Sequence, residues 1–115
     1  MPQNELLHLS YASELRGDDE ALREEIVAQA RENNVSLGIT GCIAFDGRNC
    51  AQIIEGQRDA VVALFAKIKG DNRHAGVVEL VRTSIDELNF EGWCMRLWPI
   101  SQLYQMSESV ADDSI

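Results

Sequence analysis

At 115 residues, with 45% hydrophobic and 25% charged residues, the chain has the length and composition of one globular domain with a real core. Its formal net charge of −9 and the lack of any basic stripe exclude a nucleic-acid backbone or an anionic membrane as the main partner, since both reward clustered Lys and Arg. No apolar run approaches the roughly 18 residues of a membrane span, and the start, Met1-Pro2-Gln3-Asn4-Glu5, has no basic leader segment, so a soluble cytoplasmic protein is expected.

Residues 5–11 read as a strand in which Leu7, Leu9 and Tyr11 share one face and Leu6, His8 and Ser10 the other. Tyr11 thus lies on an apolar face, where core packing with the hydroxyl turned to solvent or a carbonyl is the ordinary reading. His8, alone on its face, reads as a satisfied structural residue. Asp18-Asp19-Glu20 supplies an N-cap and an acidic first turn. Leu22, Ile26, Val27, Ala30 and Asn33 then repeat at helical spacing, while Glu24, Glu25, Arg31 and Glu32 fall off the stripe and are expected in water. The helix is expected to end near Asn33-Asn34, with at least one carboxamide turned inward.

Ile39 to Phe45 is a second strand, Asp46-Gly47 a hairpin signal, and Asn49 to Gly56 the returning antiparallel strand. There Cys50, Gln52 and Ile54 share a face, and Gln52 is the odd member. A buried amide without partners costs roughly 1–3 kcal/mol, so either a polar ligand or, at a sheet edge, water or a neighbouring side chain must satisfy it. Residues 58–69 form a second helix with Val61, Leu64, Phe65 and Ile68 as its stripe, ended by Gly70-Asp71. Val77 to Thr83 is a fourth strand and Phe90 to Trp98 carries a fifth, in which alternation puts Trp93, Met95 and Leu97 on one face. Twist and register leave open whether Trp93 or Met95 approaches Gln52. Ile100 to Met106 is expected as a short helix and Ser107 to Ile115 as a frayed acidic end.

The order β-α-β-β-α-β-β is an α+β pattern: a ferredoxin-like β-α-β-β-α-β core with an additional fifth strand and two helices on one face of a mainly antiparallel sheet. It divides into a folded domain over 1–98 and a short C-terminal helix with its acidic tail over 99–115. Cys42, Cys50 and Cys94 lack ligand or redox spacing and read as small buried, reduced residues of a cytoplasmic protein. Glu55 and Asp59 read as capping, solvated carboxylates. With no phosphate loop, nucleophile elbow or metal-ligand spacing, no catalytic and no metal-binding residue is assigned.

What remains is a set of amides and aromatics able to meet in this fold. The stretches Leu9-Ser10-Tyr11-Ala12-Ser13, Asn33-Asn34-Val35-Ser36-Leu37-Gly38-Ile39-Thr40-Gly41, Gln52-Ile53-Ile54-Glu55-Gly56, Asp71-Asn72-Arg73-His74 and Phe90-Glu91-Gly92-Trp93-Cys94-Met95 resemble, in order and spacing, the signatures of the BLUF family, blue-light sensors that use FAD. The likeness runs from about residue 5 to residue 98. It implies a non-covalent flavin, FAD with FMN and riboflavin left open, and a receptor in place of an enzyme. By the resemblance, Tyr11 matches the photoactive tyrosine that gives an electron and proton to the excited flavin, and Gln52 the glutamine whose hydrogen bonds rearrange. Asn34 and Asn33 match polar positions at the ring, Ile26 and Ile68 the aliphatic residues that sandwich it, and Arg73 and His74 a pair near the ring and its side chain. Trp93 and Met95 match the positions that relay the signal to a downstream protein partner or output domain; a homo-oligomer is left open. Cys50-Ala51 and Ser84-Ile85 depart from the bulkier apolar pair and the Pro-Ile usual in the family. The competing reading is a flavin-free interaction module on the same fold; a small acyl-phosphate hydrolase lacks the loop it would need.

Overall fold

In a computed structural model, which describes residues 5–17 and 19–113, the elements follow as β1 (Leu6–Leu15), α1 (Glu20–Leu37), β2 (Thr40–Asp46), β3 (Asn49–Gln57), α2 (Arg58–Lys69), β4 (His74–Ile85), β5 (Arg96–Leu97) and α3 (Ile100–Asp113). The readings placed on Met1–Asn4, on Asp18 and on Ser114–Ile115 lie outside the described residues. The strands form one sheet in the order β4-β1-β3-β2-β5, antiparallel except where β5 runs parallel to β2. This is the expected α+β, ferredoxin-like arrangement.

Alternation sorts the sheet into two faces, as the sequence predicts. Leu7, Leu9, Tyr11, Ile43, Cys50 and Ile54 pack against Ile26 and Val27 of α1 and Val61, Leu64 and Phe65 of α2. On the opposite face Cys42, Ala44, Ala51 and Ile53 pack with Phe90 and with Leu103 of α3. The hairpin closes over Gly47, whose φ of 61° suits glycine. Gly41 is required for a different reason: a Cβ there would lie 1.9 Å from the Ile53 carbonyl oxygen on β3.

Several boundaries differ from expectation. Asp19 caps α1, accepting from the Leu22 N–H at 2.7 Å, but the helix continues past Asn33-Asn34 to Leu37. Its true stop is Gly38, at φ 69°, where the N–H groups of Gly38 and Ile39 turn back to the Asn34 carbonyl. Asn34 is therefore a last-turn residue with its side chain committed inward. Strand β4 begins at His74, earlier than predicted, because β1 extends to Leu15 and offers it a partner. The fifth strand shrinks to two residues: turns occupy the stretch before it, with Gly92 at φ 87°, so alternation does not govern residues 90–95. The C-terminal stretch is not frayed through Asp113. It is a 14-residue helix that buries Leu103, Ser107 and Val110, one face at spacings of four and three.

Candidate functional site

Tyr11 and Gln52 stand directly opposite each other on β1 and β3, the two central paired strands, and both side chains point to the α1/α2 face. The Tyr11 hydroxyl donates to Gln52 Oε1, and the other end of the same amide, Nε2, donates to Met95 Sδ at 3.7 Å. The buried amide is thus satisfied by side chains at both ends, inside the core and not at a sheet edge. The Tyr11 ring packs at a tilt on Phe65, centroids 5.6 Å apart, and meets His74 edge-on. Burial, with the nearby Cys50 and Asp71, pushes the Tyr11 pKa well above 10.0, so its proton stays on Oη. Burial likewise lowers the pKa of His74, whose Nδ1 lies 2.8 Å from Ser13 Oγ.

Around this pair, Ile26, Asn33 and Asn34 of α1, Ile68 of α2, and Arg73 and His74 line one cleft with Tyr11 and Gln52. All eight residues expected at the site are therefore brought together. Arg73 is fixed from two sides, by Asp71 at 2.6 Å and by Glu25 of α1 at 3.0 Å, which draws the rims of the cleft toward each other. The Arg73 guanidinium holds the Asp71 carboxyl below its usual range. Asn33 accepts from Gln29 Nε2 at 3.3 Å. Asn34 is the informative member. Its Nδ2 donates to the Cys94 carbonyl at 2.5 Å, which fixes the orientation of the amide. Its Oδ1 is buried and has no hydrogen-bond partner among the described residues.

That orphaned acceptor tests whether a flavin suits these residues. The polar edge of an isoalloxazine carries one N–H donor among acceptors, and the cleft offers an unused acceptor on Asn34 together with the reversible Gln52 amide and aliphatic Ile26 and Ile68. The donor set fits. The free space among these side chains is about 40 Å³, and the Glu25–Arg73 pair lies at its rim.

Trp93 and Met95 do not share a face. Met95 is buried beside Gln52 in the α1/α2 core, while Trp93 packs with Phe90 and Trp98 on the α3 side and carries the Arg96 guanidinium 4.6 Å from its ring centroid. The turn through Gly92 inserts residues that are not extended, and the alternation fails there. Other expectations are corrected too. Cys94 is exposed, because its side chain belongs to that turn and not to a strand. Arg31 is not simply solvated: its Nε donates to the Met95 carbonyl at 3.0 Å. Glu55 is fully buried and neither caps nor meets water; it accepts from His8 Nδ1 at 2.6 Å and from the Asn89 backbone and side chain at 2.7 and 2.9 Å. His8 Nε2 in turn lies 2.8 Å from Ser107 Oγ, and that hydroxyl 2.6 Å from Ser10 Oγ. His8 is the satisfied structural residue expected of it. Period-2 alternation, carried one residue past Ile54, puts Glu55 on the sheet face opposite Gln52, and that was the available signal for the pair.

A family profile described as sensors of blue-light using FAD, BLUF, matches residues 6–96. The chain belongs to the BLUF family. It is a flavin-binding light-sensor module, not a catalyst. The BLUF likeness extends to solved structures. BlrB, a BLUF protein in its dark state, is 32% identical with a TM-score of 0.79, over 96% of this chain and 84% of BlrB. BlsA in a photo-activated state is 31% identical with a TM-score of 0.76, over 90% of this chain and 79% of BlsA. The blue light- and temperature-regulated antirepressor BluF of Escherichia coli (strain K12) is 34% identical over 77 residues, 66% of this chain and 19% of that protein. The chain thus spans about a fifth of the antirepressor's length. Among the described residues, no helix is long and apolar enough to cross a membrane, and no group of three or more His, Cys, Asp or Glu is placed to hold a metal ion.

Proposed function

We propose that this chain is a blue-light photoreceptor that binds FAD non-covalently between α1 and α2 and signals, through a hydrogen-bond change at Gln52, to a downstream protein or output domain. The observation that carries the reading is the buried Tyr11–Gln52 pair facing a cleft in which Asn34 presents an unused acceptor. In this reading residues 1–98 are the sensing unit and α3, within 99–115, lies outside it. Ile26 and Ile68 flank the ring, Asn33 and Asn34 take its polar edge, and Arg73 and His74 lie beside it. These residues address the ring that FAD, FMN and riboflavin share. All three cysteines are free thiols, in keeping with the reducing cytoplasm.

Bound flavin supplies blue-light absorption and, once excited, oxidising power. The protein's part begins at Tyr11, the redox-active side chain in the cleft, whose Oη proton has Gln52 Oε1 in line to receive it and return it. Gln52 has two ends of nearly the same shape and opposite hydrogen-bond sense. Rotation or tautomerisation of its amide therefore reverses the hydrogen-bond sense toward Tyr11 without repacking the core, and rotation also breaks the bond to the Met95 thioether, which can only accept. Met95 on one face and Trp93 on the other put the two relay positions on opposite sides of the sheet, so the segment between them is the path outward.

The test is a visible spectrum of the purified protein in darkness and after blue illumination. A flavin spectrum that moves to the red and recovers in the dark is expected, and Tyr11→Phe and Gln52→Leu should each retain flavin and lose the shift. A colourless protein that neither binds added FAD nor shifts would instead be the flavin-free interaction module.

A further inference from the structure

The segment that leads into β5 is held by its backbone at three consecutive carbonyls, each by a different donor. Trp93 O accepts from the Gly41 N–H at 3.0 Å, Cys94 O from Asn34 Nδ2 at 2.5 Å, and Met95 O from Arg31 Nε at 3.0 Å. Arg31 and Asn34 are three residues apart on α1 and so sit one turn from each other on the same helix face. Asn34 reaches into the flavin cleft, whereas Arg31 lines a separate groove with Val27, Phe45 and Leu97. The two grips on the segment are therefore separable by mutation.

Met95 is the residue for which this matters. Its carbonyl is held by Arg31 while its side chain is buried and takes the hydrogen bond from Gln52 Nε2. For the Gln52 amide to turn, the Met95 thioether must yield, and it yields more readily if its backbone is free to move.

We infer that Arg31 is a positioning residue of the light switch, pinning the Met95 backbone and thereby setting how firmly Met95 holds the Gln52 amide. The inference rests on the reading of Gln52 as the switch. It assigns no contact between Arg31 and the flavin. Releasing the pin lowers the barrier to amide rotation in both directions, so the illuminated form relaxes faster. Arg31 is exposed, which limits the effect to that of a partly solvated charge-assisted hydrogen bond, a change of roughly three- to tenfold in rate.

The experiment follows the decay of the red-shifted absorbance in the FAD-loaded full chain after blue illumination. Arg31→Ala should bind FAD at the wild-type stoichiometry, have the wild-type dark spectrum, and recover roughly three- to tenfold faster. Met95→Ala should also recover faster. The double variant should recover no faster than Met95→Ala alone, because the pin acts through that side chain; a purely structural role for Arg31 would give independent, multiplying effects. Recovery of Arg31→Ala within about 1.5-fold of wild type, or full multiplication in the double variant, overturns the positioning role. A wild-type protein that binds FAD and gives no reversible shift overturns the photoreceptor reading and this inference with it.

Discussion

Glu55 and His8 are both completely buried on the α3 face, and the carboxylate is satisfied by three donors. Removing one partner leaves a buried charge short of a donor, while replacing both relieves the need for either. His8→Leu should therefore lower the stability by about 3–5 kcal/mol in urea unfolding, and His8→Leu with Glu55→Leu should recover part of that loss. Ser107→Ala, which takes one hydroxyl from the same network, should cost about 1–2 kcal/mol. Strand alternation is enough to put Tyr11 and Gln52 on one face and His8 on the other. It gives no pairing register, so neither the Tyr11–Gln52 bond nor the His8–Glu55 bond is legible until β1 and β3 are laid side by side. Arg31 was beyond reach for the same reason: helical periodicity says which way a side chain leaves its helix, and its acceptor lies 64 residues further along the chain.

Elements were legible where one period governs them throughout. The helix over 58–69 and the hairpin at Asp46-Gly47 form where expected, because each has its stop signal next to an unbroken pattern. β5 fails because turn residues precede it, and α3 was undervalued because a serine occupies the middle of its buried stripe. Leu103, the fully buried anchor of α3, makes the point testable: Leu103→Ala should destabilise the protein by about 2–4 kcal/mol, seen as a lower unfolding midpoint. At β2 the constraint is steric. Gly41→Ala forces a methyl group onto the Ile53 carbonyl and displaces the N–H that holds Trp93 O. It should cost about 2–3 kcal/mol and alter the tryptophan emission, since the Trp93 segment loses its anchor on β2.

At the scale of the whole molecule, acid should weaken the fold, and His74 contributes a defined share. Its pKa is lowered chiefly by burial, with Asp71 opposing and Arg73 reinforcing the shift. The unfolded chain, with an ordinary histidine near 6.5, takes up the proton before the native one does, so stability falls as the pH drops below that value and the loss ends at the lower native pKa. Thermal unfolding at pH 7.5 and 5.5 should show the decrease, and His74→Gln should show less of it. The three thiols divide on the same grounds of burial. Cys42 and Cys50 are enclosed, and their pKa values are pushed up to about 12, which keeps them protonated and unreactive at neutral pH. Cys94 is exposed, and its own carbonyl is gripped by Asn34 next to Met95. A maleimide dye or nitroxide added to the unmutated protein should therefore attach at that one position, giving a single reporter on the segment proposed above to relay the light signal.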